Sequence, residues 1–278
     1  MKLSITGSTG VVFGLVLVVM VAVVFGITML RNPRGGKVLS EALSAPLNSA
    51  TNVRIDLNAG SGNLTIDRLS AAEPALATGS LEYTETQGPP IQTLETSNGQ
   101  TVLTLKTGKG EQPWLRLPWD ACNGATVWSI HLNPSVPADL SARSGGGNLK
   151  LDLAGATITR LAAETGGGNV EVVLPDGAAN LNAAAKTGAG NVTVAIGSGA
   201  IGSGAVSAAS GAGDVAVHVP EGMAAKIHVS SGMGKVVVDP RFSMVDKNTY
   251  QSPNFDSAAD RVEITASSGA GNVTIDTK

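Results

Sequence analysis

The chain has 278 residues and a formal net charge of −3, so no strongly basic surface argues for nucleic acid as a partner. Aromatic residues make up 3% and charged residues 15% of the sequence, but Val, Leu and Ile are frequent and regularly spaced, which is not the composition of a disordered chain. The single cysteine, Cys122, excludes an intrachain disulfide and a metal cluster built from cysteines.

An uncharged segment near the start of the chain predicts a membrane anchor. Residues 11–30 contain no charged side chain and are long enough to cross the roughly 30 Å hydrocarbon core of a bilayer as a helix. Residues 1–10 would form a short N-terminal tail. The anchor is followed by Arg31-Asn32-Pro33-Arg34 rather than by a small-x-small cleavage site. We therefore expect one uncleaved transmembrane helix, followed by a linker at residues 31–50.

Two signals disagree about the side of the membrane on which the body lies. Arg31, Arg34 and Lys37 follow the anchor, and the positive-inside tendency would place the body in the cytoplasm. Long C-terminal domains can be translocated despite such flanks, and a body rich in Asn, Ser and Thr is typical of a surface protein. We expect a membrane protein with a single pass and an extracytoplasmic body.

The body, residues 51–278, predicts an all-β fold because apolar and polar residues alternate along it and no helical period is sustained. A Gly-x-Gly corner recurs, and the residue after it is Asn148, Asn169, Asn191, Asp214 and Lys235, at steps of 21, 22, 23 and 21. Such a period is typical of a solenoid whose repeats cover one another's apolar faces. The sequence therefore predicts a β-solenoid with two short strands per repeat of 21–23 residues.

The corners predict both a role for glycine and a column of polar side chains. We attribute the glycines to the positive φ that a tight corner can require. The residues after the corners would stack about 4.8 Å apart and exchange amide hydrogen bonds, with opposite charges where Asp214 and Lys235 continue the column. The same corner precedes Asn63 and Asn272. The corner glycines are Gly145, Gly147, Gly166, Gly168, Gly188, Gly190, Gly211, Gly213, Gly232, Gly234, Gly269 and Gly271.

Three further features are a row of charges on the outer face of the solenoid and two segments that do not follow the repeat. Arg143, Glu164 and Lys186 would form an outward row of alternating charge. Residues 81–135 predict strands around turns, and three tryptophans near Cys122 are consistent with a cap over the open end of the solenoid. Residues 240–260 are an insertion that could be a lid or contact loop. The tryptophans are Trp114, Trp119 and Trp128.

The sequence predicts no catalytic, cofactor or metal site. Residues 197–202 fit Gly-x-Gly-x-x-Gly, but more glycines and a strand follow instead of the helix that would hold a pyrophosphate. The corner at Asp214 partly resembles a calcium repeat, whose nine-residue period is absent. His131, His218 and His228 form no cluster with metal-ligand spacing and are expected on the surface, the last two on opposite walls.

With the corners aligned, the chain resembles the bacterial toastrack or putative-adhesin β-strand-repeat family. The matching segments include "SARSGGGNLKLDL", "LAAETGGGNVEVVLP", "AAKTGAGNVTVAIG" and "VEITASSGAGNVTIDTK", and the resemblance covers most of residues 51–278. It implies a β-solenoid-like fold, frequent membrane anchoring, no known catalytic residues and, in some relatives, a role in the response to cell-envelope stress. It carries over no binding residue.

The sequence and the resemblance together predict a non-enzymatic module at the bacterial envelope that presents a stiff, flat surface to another protein or to a polysaccharide. One alternative is a regulatory module that senses envelope stress or sequesters a partner. Another, from a different class, is a β-helical carbohydrate-active enzyme, which would need a pair of carboxylates about 5–10 Å apart in a groove.

Overall fold

The structure is a computed structural model and describes residues 17–18, 37–48, 50–70, 73–85, 87–97, 99–108, 126–177, 180–199 and 203–278. All regular secondary structure in these ranges is β-strand, as the alternation predicts. The strands form two sheets, sheet A with twelve strands and sheet B with ten, which enclose one hydrophobic core.

The strands of each sheet follow one another in space in an order that differs from their order along the chain. Sheet A consists of β1 (Leu17–Val18), β6 (Ile91–Ser97), β7 (Gln100–Lys106), β3 (Asn52–Asn58), β9 (Ala138–Ser144), β11 (Ile158–Thr165), β13 (Asn182–Ala189), β15 (Ser203–Ala212), β21 (Arg261–Ala270), β17 (Ala224–Ser231), β20 (Thr249–Gln251) and β19 (Ser243–Asp246). Sheet B consists of β18 (Val236–Val238), β22 (Val273–Thr277), β16 (Val215–Val219), β14 (Val192–Ala195), β12 (Val170–Val173), β10 (Leu149–Asp152), β4 (Asn63–Arg68), β8 (Val127–Leu132), β5 (Ala75–Thr84) and β2 (Val38–Pro46).

Seven rungs form the repeating part of the fold. Each rung is a strand of sheet A that leads into a glycine corner and a strand of sheet B that leaves it. Neighbouring rungs pair in parallel in both sheets, so that equivalent residues lie side by side. In spatial order, rungs 1 to 7 are β3/β4, β9/β10, β11/β12, β13/β14, β15/β16, β21/β22 and β17/β18.

The core between the two sheets is thin, because the inward face of sheet A carries alanines beside larger aliphatic residues. In rung 3, Leu161 and Ala163 of sheet A and Val170 and Val172 of sheet B are buried. The inward-facing residues of rungs 1 to 6 are likewise buried, as the alternation predicts, whereas Val236 in sheet B of rung 7 is exposed. Burial at about 25 cal/mol per Å² stabilises a rung only where its neighbours cover it.

The spatial order of the last rungs differs from their order along the chain. The sequence period places the corner of Lys235 directly after that of Asp214. In the structure rung 6, which ends the chain, lies between rung 5 and rung 7, and Asn272 separates the two charged residues. The corner at Asn272, which lies outside the sequence period, is therefore part of the continuous stack, as is the corner at Asn63.

The corner glycines are required mainly by close approach of the backbone, so the positive-φ explanation is wrong for most of them. Among the twelve corner glycines named above only Gly190 and Gly213 have φ in the left-handed region, at 144° and 147°, and Gly60 in the corner at Asn63 has a φ of 59°. A Cβ at Gly168 would instead overlap the carbonyl oxygen of Gly147 in the preceding rung. The middle residue is different, because a Cβ at Gly167 would meet no atom within 4 Å.

A buried hydroxyl column, which the sequence reasoning did not predict, joins the rungs at the corners. In rungs 2 to 7 the residue before the corner is Ser or Thr, and its hydroxyl donates to a glycine carbonyl of the preceding rung. Thr165 Oγ1 donates to Gly147 O at 2.7 Å and Thr187 Oγ1 to Gly168 O at 2.7 Å. These residues are Ser144, Thr165, Thr187, Ser210, Ser268 and Ser231. Their regular position before Gly-x-Gly is visible in the sequence.

The corner column is held by hydrogen bonds from backbone N–H groups to side-chain oxygens. The predicted hydrogen bonds between side-chain amides are not the ones that form it. The backbone N–H of Asn169 donates to Asn148 Oδ1 and that of Asn191 donates to Asn169 Oδ1, both at 2.8 Å. The pattern continues through Asp214 and Asn272 to Lys235. The lysine has no acceptor oxygen, and β18 is the last strand of its sheet among the described residues.

The N-terminal end of the stack is wider than predicted. Val38–Pro46, assigned to the linker 31–50, is strand β2 and pairs with β5, because Leu43 and Ala45 alternate into the core. Strands β5 to β8 lie at the end where the cap was predicted. Trp128 is fully buried there and its Nε1–H donates to Glu82 O at 3.1 Å. Trp114, Trp119 and Cys122 lie outside the described residues.

Two other predicted segments have different outcomes. Residues 240–260 are not a free loop, because β19 and β20 form a hairpin that extends sheet A beyond rung 7. The predicted anchor, residues 11–30, lies outside the described residues except for Leu17 and Val18, which pair with Thr96 and Glu95. Among the described residues no helix is long and apolar enough to cross a membrane.

Replacement of Gly168 by alanine tests the close approach at the corners. We expect Gly168→Ala to lower the free energy of unfolding by about 1–3 kcal/mol, because the new methyl group displaces the carbonyl of Gly147. Gly167→Ala is the matched control and should change it by no more than about 1 kcal/mol, in the stabilising direction. Urea unfolding followed by circular dichroism measures both, and equal losses for the two variants would contradict the explanation.

Removal of one acceptor tests the corner column. In Asn169→Ala the backbone N–H of Asn191 loses its partner, and we expect a loss of about 0.5–1.5 kcal/mol in the free energy of unfolding. Asn169→Asp keeps an acceptor oxygen at this position, as Asp214 does naturally, and should lie closer to the unmodified protein. If the alanine variant unfolds at the same urea concentration as the unmodified protein, the column does not contribute to stability.

Candidate functional surfaces

The corner column forms an exposed rim whose Oδ1 acceptors are used within the protein. Asn148, Asn169, Asn191, Asp214 and Lys235 are all exposed. The Oδ1 atom of each of the first four accepts a backbone N–H from the next rung. These oxygen atoms therefore have a structural role, and the outer faces of the sheets are the larger surfaces for recognition.

The outer face of sheet A, called wall A, carries a row of charges in register. Arg143 Nε lies 3.2 Å from Glu164 Oε2, and Glu164 is paired in register with Lys186 on the next strand. The sign therefore alternates along three rungs, as the sequence predicts. These side chains are about half exposed, with values of 52% and 42% for the first pair, so the row contributes little to stability and remains available to a partner.

A smooth strip runs beside this row along the middle of wall A. Ser141, Ala162, Ala184 and Ser207 occupy equivalent positions on four successive strands. Their side chains are short, so the strip is flat and is bordered by the longer side chains of the charged row. Ser141 at one end is buried, and the other three are half-buried. Wall A thus combines a flat centre with a charged margin.

The outer face of sheet B, called wall B, has a different character. Lys150 and Glu171 form an ion pair of 3.7 Å. Further along, Val173 and Ala195 are paired in register and half-buried, so the middle of wall B is more apolar than its margins. The two walls therefore offer a partner different chemistry.

Two histidine–aspartate pairs lie on wall B. His131 Nδ1 hydrogen-bonds Asp67 on the adjacent strand, and His218 Nδ1 hydrogen-bonds Asp276. His228 lies on wall A, and its Nδ1 shares a hydrogen bond of 3.1 Å with the Thr249 hydroxyl. The prediction that the histidines of strands β16 and β17 lie on opposite walls is confirmed. No group of three or more His, Cys, Asp or Glu side chains suited to a metal ion occurs within the described ranges.

A polar depression of about 450 Å³ lies beside the first two corners. The described residues of its lining include the cationic side chain of Arg143 and neutral groups such as Asn58, Gln87 and Thr107, and none of them is a carboxylate. The described part of the lining therefore lacks the paired carboxylates that glycoside hydrolysis uses. Arg143 is itself paired with Glu164 on wall A, so the depression opens at the margin of that wall.

Comparison with known proteins gives one family and several similar structures. The family model for the N-terminal domain of toast_rack, DUF2154, matches residues 34–195. The fold is similar to that of a putative cell adhesion protein from Clostridium sporogenes, with a TM-score of 0.61, 22% identity and coverage of 86% of this chain and 99% of that one. A putative adhesin from Bacteroides fragilis gives a TM-score of 0.38 and 11% identity over 86% of this chain and 96% of that one.

No curated protein matches the chain. At 22% identity, the likeness to the Clostridium protein concerns the fold alone. The family model covers more than half of the 278 residues, and its range includes the first four rungs and the widened N-terminal end. The chain belongs to the toast_rack family.

Proposed function

We propose that this protein is a non-enzymatic, membrane-anchored module of the bacterial cell envelope that binds another protein or an envelope polysaccharide through one of its walls. The observation that carries the proposal is the register of the rungs, which aligns equivalent side chains on adjacent strands. A repeated flat surface suits an extended partner, because each repeat of the partner can meet an equivalent position on the wall.

Wall A supports the proposal more strongly than wall B. Its charged row of Arg143, Glu164 and Lys186 flanks the flat strip of Ser141, Ala162, Ala184 and Ser207. Rigid, regularly placed groups bind at a low cost in conformational entropy, since the sheet already holds them in position. A partner with alternating charge would match the row, and the flat centre would let its backbone or sugar rings approach closely.

The membrane anchor is supported by the uncharged residues 11–30. Leu17 and Val18 cannot at once lie inside a bilayer and pair with the edge of sheet A. Because that pairing involves two residues only, we assign the segment to the membrane. The body is rich in Asn, Ser and Thr, and on this ground we assign the rungs to the extracytoplasmic side.

Arginine placed on one wall at a time tests the binding proposal. Ala162→Arg alters the centre of wall A, and Ala195→Arg alters the centre of wall B; both positions are half-buried and face outward. We expect the full-length chain with a C-terminal affinity tag to capture a partner from envelope extracts. Ala162→Arg should lower this capture at least tenfold, while Ala195→Arg should leave it within twofold.

Circular dichroism and the urea midpoint show whether both variants keep the fold. Equal capture by the two folded variants and the unmodified chain would contradict recognition through the walls. Recovery of no protein or polysaccharide by the unmodified chain would contradict the interaction module itself.

Cysteine labelling in intact cells tests the orientation. Ser135 is exposed in the turn before β9, and Ser135→Cys combined with Cys122→Ser gives a single thiol in the body. We expect a membrane-impermeant maleimide to label this variant in intact cells as completely as in lysed cells. The Cys122→Ser chain alone is the control for background, and labelling only after lysis would place the body in the cytoplasm.

A further inference from the structure

The two sheets end at different places at the end of the stack formed by rung 7. Sheet A continues beyond β17 for two more strands, β20 and β19, whereas sheet B ends at β18 among the described residues. The hairpin of sheet A therefore projects past sheet B by about two strand spacings, which is roughly 10 Å. We call this arrangement the stepped end.

The core is only partly covered at the stepped end, where Phe242 is buried but other apolar side chains are exposed. Val236 is paired in register with the buried Val273 and shares its core-facing side, yet Val236 is 38% exposed. Met244 is in register with Tyr250, which is in register with the buried Ile227, and Met244 is 61% exposed. Apolar side chains that face the core elsewhere thus have no covering sheet here.

The outer side of the stepped end is apolar as well. Val237 is 54% exposed and Val245 is 57% exposed. Met233, at the last corner, is 83% exposed. Strand β18 reads Val-Val-Val, and its free edge has none of the proline or inward charge by which proteins commonly protect an exposed edge. Such an edge is suited to pairing with another strand.

We propose that the stepped end binds the stepped end of a second copy of this chain, about a twofold axis that runs parallel to the strands. This axis exchanges the two sheets, so that the long sheet A of one copy meets the short sheet B of the other. The projecting hairpin of each copy then occupies the place that its partner's sheet B leaves empty. Both sheets become continuous across the dimer, and the exposed part of the core is covered from both sides.

Strand direction and charge agree with this arrangement. Strand β18 runs opposite to β17 across the corner, and β19 runs in the same direction as β17 because two antiparallel pairings separate them. An axis parallel to the strands preserves direction, so β18 would meet the partner's β19 antiparallel. The start of β18, with Lys235, would lie beside the end of the partner's β19, with Asp246. The symmetry gives this charge pair twice.

Other occupants fit the stepped end less well. A bilayer would cover Met233, Val237 and Met244, but it would leave the backbone groups of the β18 edge without hydrogen bonds. Residues 109–125 join β7 to β8 at the other end, seven strand spacings or about 34 Å away. A loop of this length that begins and ends there reaches at most about 29 Å, so it is too short to cover the stepped end.

Charge placed on the edge tests the dimer. Sedimentation of the full-length chain in mild detergent should show a monomer–dimer equilibrium, and Val237→Lys should raise the dissociation constant at least tenfold. Ile91→Lys is the matched control, because Ile91 is 47% exposed on β6 at the opposite end, and it should leave the constant within twofold. An unmodified chain that stays monomeric up to about 100 µM, or equal effects of the two variants, would overturn the proposal.

Crosslinking distinguishes this dimer from one formed through the anchor or between like strands. In a Cys122→Ser background, V237C/V245C should give a covalent dimer with a short bismaleimide, because each β18 would meet the partner's β19. The single variants V237C and V245C should give none. A dimer from either single variant would indicate that like strands meet, and the absence of any crosslink in the double variant would show that β18 does not meet the partner's β19; both results contradict the proposal.

Discussion

The fold depends on the close approach of the backbone at the glycine corners. Each rung places a glycine directly against a glycine carbonyl of the rung before it, with no room for a Cβ. This contact lets a buried hydroxyl reach the same carbonyl and lets an exposed backbone N–H reach an asparagine side chain. These hydroxyl, carbonyl and N–H groups of the corner are thereby hydrogen-bonded within the protein. Stacking at one fixed spacing then brings the strands of both sheets into register.

Much of this could be predicted from the sequence because repetition exposes the pattern. The parity of Leu161, Ala163, Val170 and Val172 identified the core faces correctly, since a strand turns alternate residues to opposite sides. Fold class and family followed from the same period. The reason for the glycines could not be predicted in this way. A positive φ and a close backbone approach both require glycine, and only the position of the neighbouring rung distinguishes the two causes.

The spatial order of the last rungs could not be predicted from the sequence period. The side chains at the corners are nevertheless consistent with the observed order. Asp214 and Asn272 each provide an acceptor for the next rung, whereas Lys235 provides none. A corner residue without an acceptor belongs at the end of the column, and the chain accordingly inserts its last rung before that of Lys235. The hydroxyl column carried a comparable signal, because Ser or Thr precedes the corners of rungs 2 to 7. Strand β2 was not predicted because it lacks a sustained alternation: only Leu43 and Ala45 of its residues are buried.

The same register links fold to function, because it turns small repeated side chains into walls and leaves a stepped end where the two sheets stop at different strands. Amide hydrogen exchange resolved by residue tests the stacking most directly. The account predicts that the backbone N–H groups of Asn169 and Asn191, although in exposed residues, exchange as slowly as those of the buried strands β12 and β14. Exchange as fast as in the exposed turn at Gly222 would contradict it.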